Sequence, residues 1–387
     1  MSLTRFAGIQ NPKSKIQNRL MDNLTHTLVG AALSEAGLKR ATPLGAATLL
    51  IAANIPDVDI VYGVLGPVAY FQGHRGITHS LVGFPVVAAL LAASIYLWSR
   101  FTLRWDPTMP RARFGPLLAL SLIGITTHPL LDYTNSYGWR PFLPWNPEWY
   151  YLDIAFVADP WIWIGMGGAV FLSTSQTRNR VLGWAILFLA ATTVIVVARV
   201  GATAKILWLA LAAIFLLVKL TRQLDERWGR LVNLGAIAAL LVYFGALAVL
   251  HAAAVFKAAE FANVALAANE QVIEVSALPT ETNPLRWRMV VATEKAFYLS
   301  DLHLYGGREP VLQRFDRETG DHAAIQAACA AEPATTFLRF ARFPVISARP
   351  VNDETVVEIG DLRFYDLTSR FHIRVRLDAS LKPVGSS

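Results

Sequence analysis

Four short polar islands interrupt an otherwise apolar N-terminal third: Asn23 to His26, Pro56 to Asp59, His74 to Ser80, and His128 to Asn135. They hold four of the chain's eight histidines (His26, His74, His79 and His128), together with Asp57, Asp59 and Asp132. Imidazole and carboxylate donors together suit zinc, manganese or iron(II), so these residue types make a candidate metal site. Taken singly, a buried His or Asp in an apolar bundle is more often a cap or a satisfied hydrogen-bonding group than a ligand. Taken together, the islands say more.

The helices that must carry them supply the reason. The apolar pattern predicts that His26 opens a helix reaching Leu38, and that Asp57 and Asp59 close one from Pro43 to Ile55. His74 and His79 precede a third helix over Ser80–Ser99. His128 and Asp132, an i,i+4 pair on one face, close a fourth over Pro116–Leu131. In an up-down-up-down bundle the starts of odd helices and the ends of even helices share one end, so all four islands converge there. Keeping this many ionisable groups in an apolar bundle points to function.

With 54% hydrophobic and 16% charged residues in 387, the composition is that of a membrane protein. A helix of about 20 residues crosses a hydrocarbon core of about 30 Å. The runs Ile77–Trp98, Phe114–Leu131, Ile154–Leu172, Val181–Ala198, Ala204–Val218 and Leu231–Leu250 meet that length. The net charge of +7 concentrates in alternate loops, at Lys39/Arg40, Arg100 to Arg113, Arg178/Arg180 and Lys219 to Arg230. The positive-inside rule makes these loops cytoplasmic and puts the His/Asp islands and everything after His251 on the other side. Orientation thus accounts for the basic excess without nucleic-acid binding. The single cysteine, Cys329, excludes an intrachain disulfide framework and a thiolate metal cluster.

Residues 1–20 are polar and basic and lack the apolar stretch of a secretory signal, so they read as a disordered extension or a start called upstream of Met21. Beside His74, Arg75 can hold a phosphate or carboxylate bidentately, or pair with Asp57 or Asp59. Thr78 or Ser80 can cap the third helix. Trp139, Trp145, Trp149, Tyr150 and Tyr151 resemble an interfacial aromatic belt, and Asp159-Pro160 a helix cap or a metal-supporting carboxylate. From Lys257 the pattern shortens to strand length, with strands expected over Arg286–Ala292, Ala296–Leu302, Phe343–Ala348, Thr355–Ile359, Leu362–Tyr365 and Phe371–Leu377 and one or two short helices over His322–Ala341.

The segments Met21 to Thr27, Pro56 to Asp59, His74 to Ser80, and His128 to Asp132 with Tyr137-Gly138 resemble the YdjM-type family. Its members are described as inner-membrane-associated, metal-dependent hydrolases, one branch as LexA-binding. The resemblance implies ligation by His26, Asp57, Asp59, His74, His79, His128 and Asp132, and is strongest over 21–160.

The expected architecture is mainly α: a polytopic membrane helical bundle with a metal site at one end, plus a small C-terminal α+β domain outside the membrane. The expected divisions are 1–20, a metal-binding hydrolase-like part over 21–160, anchoring helices over 161–256, and an extracytoplasmic domain over 257–387. One or more divalent ions, zinc or manganese, would be held by His26, Asp57, Asp59, His79, His128 and Asp132. His74 would act as a proton donor and Arg75 as an anion clamp. The expected partners are the bilayer and an amphipathic or phosphoester substrate, at a bacterial inner membrane. The other reading is a metal-stabilised membrane scaffold that recruits a partner through its C-terminal domain.

Overall fold

The computed structural model describes residues 14–102, 108, 110–197, 200–222, 225–266, 270–307, 309–367 and 371–386. Helix α1 (Ser14–Glu35) is followed by α2 (Gly45–Ala52), a 3-10 stretch over Ile55–Leu65, α3 (Pro67–Gly73), α4 (Gly83–Thr102) and α5 (Phe114–Tyr133). The short α2 is clasped between α1 and α5, and glycine makes that possible. A Cβ on Gly30 would meet Ala53 Cβ at 2.9 Å, and one on Gly124 would meet Ala52 Cβ at 2.5 Å. Close backbone approach thus brings the ends of three helices to one place.

Two expectations shift here. His26 sits inside α1 rather than at its start, because the helix begins at Ser14. Asp57 and Asp59 ride on the 3-10 stretch, because Pro56 follows the end of α2 and stops it from continuing. The reading of residues 1–20 as an extension falls mostly outside the described residues.

Beyond the four islands come α6 (Pro160–Thr174), α7 (Arg178–Val197), α8 (Ala202–Thr221) and α9 (Glu226–Leu266). Helices α4, α5, α7, α8 and α9 are each long and apolar enough to cross a membrane, and α2 with the 3-10 stretch forms a sixth, bent candidate. The span expected over Ile154–Leu172 is instead the 15-residue α6, which starts at Pro160 and is largely buried against its neighbours. Helix α9, with 41 residues, is about 60 Å long, roughly twice a hydrocarbon core. Its far end carries Ala254, Ala258 and Ala262 at i,i+4 spacing, small enough for a sheet to lie against them.

That sheet is an antiparallel meander of β1 (Val272–Pro279), β2 (Arg286–Thr293), β3 (Ala296–His303) and β4 (Gln313–Asp316). Alternation in β2 divides its faces: Trp287, Met289 and Val291 pack on α9, while Val290 and Ala292 pack with Phe343 and Leu362. Both faces are buried, which explains the nearly continuous apolar run. A second sheet orders β5 (Glu318–Thr319), β6 (Pro344–Val351), β7 (Glu354–Asp361), β8 (His372–Leu377) and β9 (Pro383–Ser386). Helices α10 (His322–Cys329) and α11 (Glu332–Phe340) cover it through Ile325, Phe337 and Phe340. The strand expected over Leu362–Tyr365 is a 3-10 turn, since Arg363 bends inward to pair with buried Asp361. The fold is a mainly helical N-terminal region with five to six candidate spans among the described residues, a buried His/Asp cluster and a C-terminal β-sheet domain.

Candidate metal centre

His26, Asp57, His79, His128 and Asp132 converge where α1, α5, the 3-10 stretch and the turn before α4 meet. His128 Nε2 lies 3.3 Å from Asp57 Oδ1 and 3.6 Å from Asp132 Oδ2. His79 Nε2 lies 3.4 Å and 3.5 Å from the same two oxygens, and His26 Nε2 is 3.6 Å from Asp132 Oδ1. Hydrogen bonds between such groups run about 2.7–3.2 Å. Donors held about 2.0–2.2 Å from a shared ion at tetrahedral angles lie about 3.3–3.6 Å apart. The spacing fits an ion better than a hydrogen-bonded network.

The tautomers agree. His128 Nδ1 is 2.7 Å from the Ala53 carbonyl, which only accepts, so Nδ1 carries the proton and Nε2 presents a lone pair. His79 Nδ1 is 3.0 Å from Asp59 Oδ2, leaving its Nε2 facing the cluster. Neither Nε2 makes a hydrogen bond of good geometry, and both side chains are fully buried. A buried, unsatisfied imidazole nitrogen is costly unless something else takes its lone pair. Burial pulls the His79 imidazole down, but Asp57 and Asp59 outweigh it and hold His79 up at about 9. The cluster therefore attracts positive charge, as a proton or as a metal ion.

Asp59 stands behind the other ligands. One oxygen meets His74 Nδ1 at 2.9 Å, and the other meets His79 Nδ1 and accepts from the Thr78 hydroxyl at 2.7 Å. These are the contacts of a residue that orients imidazoles. Asp57, by contrast, belongs both to the set with His26 and His128 and to an adjoining set with Asp59 and His74, so one or two ions fit. His74 stacks on Tyr70 with ring centroids 4.8 Å apart.

Arg75 pairs with Asp132. It adopts a left-handed φ of 52°, and its Nη2 reaches Asp132 Oδ1 at 2.7 Å while Nη1 donates to the Gly138 carbonyl at 2.7 Å. Thr78 serves Asp59, whereas Ser80 accepts the Gly83 N–H at the start of α4. Asp159 is a cap: its Oδ1 accepts the Trp161 N–H at 2.8 Å, and Tyr243 donates to Oδ2. Burial raises the Asp159 carboxyl to about 6 against the opposing pull of those donors.

The aromatic segment only partly faces outward. Trp145 is exposed, whereas Trp139 donates to the His79 carbonyl and Trp149 packs on Phe340. Asn135, Tyr70, Tyr137 and Arg140 also frame the site, and the sequence reading gave none of them a role. Arg140 donates to the His74 carbonyl at 2.9 Å, and Asn135 accepts from Arg75 at 3.3 Å. Only the position of Asn135 beside the His128 to Asp132 pair signalled such a contact. The C-terminal domain covers this region: Phe71 and Tyr137 join its Phe337/Phe340 core, and Arg363 donates to the Ser136 carbonyl at 2.9 Å.

A polytopic helical fold with a buried His/Asp cluster that could hold a metal ion defines the class of this protein: a membrane protein with a candidate metal centre. Residues 21–203 match the family described as YdjM inner membrane protein. The chain is also similar to the uncharacterized protein YfhP of Bacillus subtilis (strain 168), 27% identical over 158 residues. That alignment covers 39% of this chain and 45% of YfhP, so less than half of the relative's length is spanned. No solved structure matches the chain.

Proposed function

We propose that this protein is a membrane-embedded, metal-dependent hydrolase acting on a phosphoester or another amphipathic, lipid-like substrate. The observation that carries the reading is the pair of buried, unsatisfied nitrogens, His79 Nε2 and His128 Nε2, facing Asp57 and Asp132 at ion-sharing distances. His26, Asp57, His79, His128 and Asp132 would hold zinc or manganese, with Asp59 orienting His79 and His74. A divalent ion held there would supply a metal-activated water and a Lewis acid for an ester. His74, at the edge of the cluster and hydrogen-bonded to Asp59, would deliver a proton to the leaving oxygen from Nε2. Arg75 would fix Asp132 rather than clamp substrate, because its guanidinium is buried and already engaged.

The substrate class rests on the 3-10 stretch. Asp57 and Asp59 point inward, while Val58, Val61, Val64 and Leu65 are exposed on the outer side. Carboxylates turned to a polar centre beside a patch of exposed valines and a leucine suit a substrate that carries an apolar tail as well as a polar group. We read the centre and the sheets as extracytoplasmic, with 21–160 as the hydrolase-like part, 161–256 as anchor and 257–387 as the external domain.

A second reading, a metal-stabilised scaffold, is favoured by the donor count. Three imidazoles and two carboxylates are enough to close a site with no open position. Hydrolysis of bis(p-nitrophenyl) phosphate and a short-chain phospholipid by the zinc- or manganese-loaded protein separates the two. An enzyme loses about 100-fold or more in rate on His74→Ala while keeping its metal. A metal-loaded wild type that hydrolyses neither compound, and loses melting temperature with each ligand removed, would be the scaffold.

A further inference from the structure

The end of the bundle away from the His/Asp cluster holds a cleft of about 360 Å³, between the end of α1, the turn joining α6 to α7, and the start of α9. Four cations (Lys39, Arg40, Arg180 and Arg230) and three carboxylates (Glu35, Asp225 and Glu226) line it. The carboxylates are mostly spoken for. Glu35 binds Lys39 Nζ at 2.7 Å, Glu226 pairs with Arg40, and Asp225 accepts the Trp228 N–H at 2.8 Å as the cap of α9. Arg180 and Arg230 have no ion pair with an acidic side chain among the described residues. Nη1 of Arg180 reaches only the Thr174 carbonyl, at 3.5 Å.

Two guanidiniums lining one cleft without a direct ion pair, although Arg230 shares the field of Glu226, offer planar forks of N–H donors that match a tetrahedral oxyanion. Their height is also informative. Arg180 lies in the first turn of one candidate span, and exposed Leu182 follows it two residues later. Arg230 is flanked by exposed Trp228 and Leu231 near the start of another. Lipid-facing apolar surface therefore begins directly beside the cationic cleft, at the level where a bilayer carries its phosphates. We propose that this cleft binds a phosphate group, either the headgroup of an anionic phospholipid or free inorganic phosphate. This site is separate from the metal centre, and it stands whether or not that centre is catalytic.

The test uses the full chain in a neutral detergent, titrated with dihexanoyl phosphatidylglycerol, dihexanoyl phosphatidylcholine and inorganic phosphate, with binding read by microscale thermophoresis. Wild type, Arg180→Gln/Arg230→Gln and Arg100→Gln are compared, the last as a cation elsewhere on the basic end. Saturable binding of phosphatidylglycerol, weakened about tenfold or more in the double variant but unchanged in Arg100→Gln, supports the site with lipid as its source. The same pattern with inorganic phosphate supports it with a soluble anion as the source. No saturable binding of either anion overturns the proposal. So does a double variant that binds like wild type, or an Arg100→Gln loss as large as that of the double variant. The ligand-free melting temperature reports whether each variant is folded.

Discussion

Arg75 Nη2 lies 2.7 Å from Asp132 Oδ1, with both side chains almost fully buried. The guanidinium is held from its other side by the Gly138 carbonyl and lies over the Tyr137 ring at 4.5 Å. Removing one partner of a buried pair leaves the other charge without compensation, at a cost of about 3–5 kcal/mol. Arg75→Ala should therefore lower the melting temperature of the metal-free protein strongly. Arg75→Lys should restore only part of the loss, since an ammonium cannot reach Asp132 and Gly138 with the same fork. Thermal unfolding in detergent, followed by circular dichroism, checks both.

Asp59 accepts from His79, His74 and Thr78, so its replacement disturbs the orientation of ligands rather than their number. Asp59→Asn should weaken metal binding by about 10–100-fold while leaving the helices folded. Competition with a chromophoric chelator measures this. Unchanged affinity would place Asp59 outside the working site.

Asp159 gives a pH prediction that is independent of the metal. Its carboxyl is raised to about 6 in the folded protein, chiefly by burial, from an ordinary value near 4. Between those values the folded state binds the proton more tightly than the unfolded chain does. This residue's contribution is therefore most favourable below about pH 4 and falls as pH rises through 6, by about 3 kcal/mol in all. Asp159→Asn keeps an oxygen for the cap and removes the titration. Its melting temperature should gain on wild type as pH rises from 4 to 7, and a constant difference across that range would refute the assignment.

Arg342 Nη1 meets Asp153 at 2.6 Å, and Arg363 reaches the Ser136 carbonyl, so two arginines fasten the C-terminal domain to the segment that follows Asp132. Arg342→Ala combined with Arg363→Ala should speed amide hydrogen exchange in residues 134–153. The membrane helices α7 and α8, which lie away from that contact, should stay unchanged. Equal exchange in both proteins would mean that the aromatic contacts alone hold the domain.

Much of this was legible in the sequence, for reasons that individual residues make plain. His128 and Asp132 share a helical face by spacing alone, and apolar periodicity carries α4 and α5 to one end. The strand run around Arg286–Ala292 shows itself because both of its faces are apolar. The lateral contacts were not legible. Nothing local tells that Arg75 turns to Asp132, because its left-handed backbone is set by the surrounding packing. The 3-10 path of Ile55–Leu65 escaped because a β-branched run broken by Pro56 and Gly63 shows neither helical nor alternating periodicity. Arg363 left its strand pattern for a partner, Asp361, that only the folded turn brings beside it.

The central claim is that the His/Asp cluster holds metal. Elemental mass spectrometry of the detergent-purified protein tests it most directly, with wild type beside His128→Ala/Asp132→Ala after exposure of both to zinc and to manganese. The account predicts at least one ion per chain in wild type and its loss in a double variant that keeps its helical circular dichroism. Wild type without bound metal after reconstitution, or a double variant that retains the full amount, would contradict it.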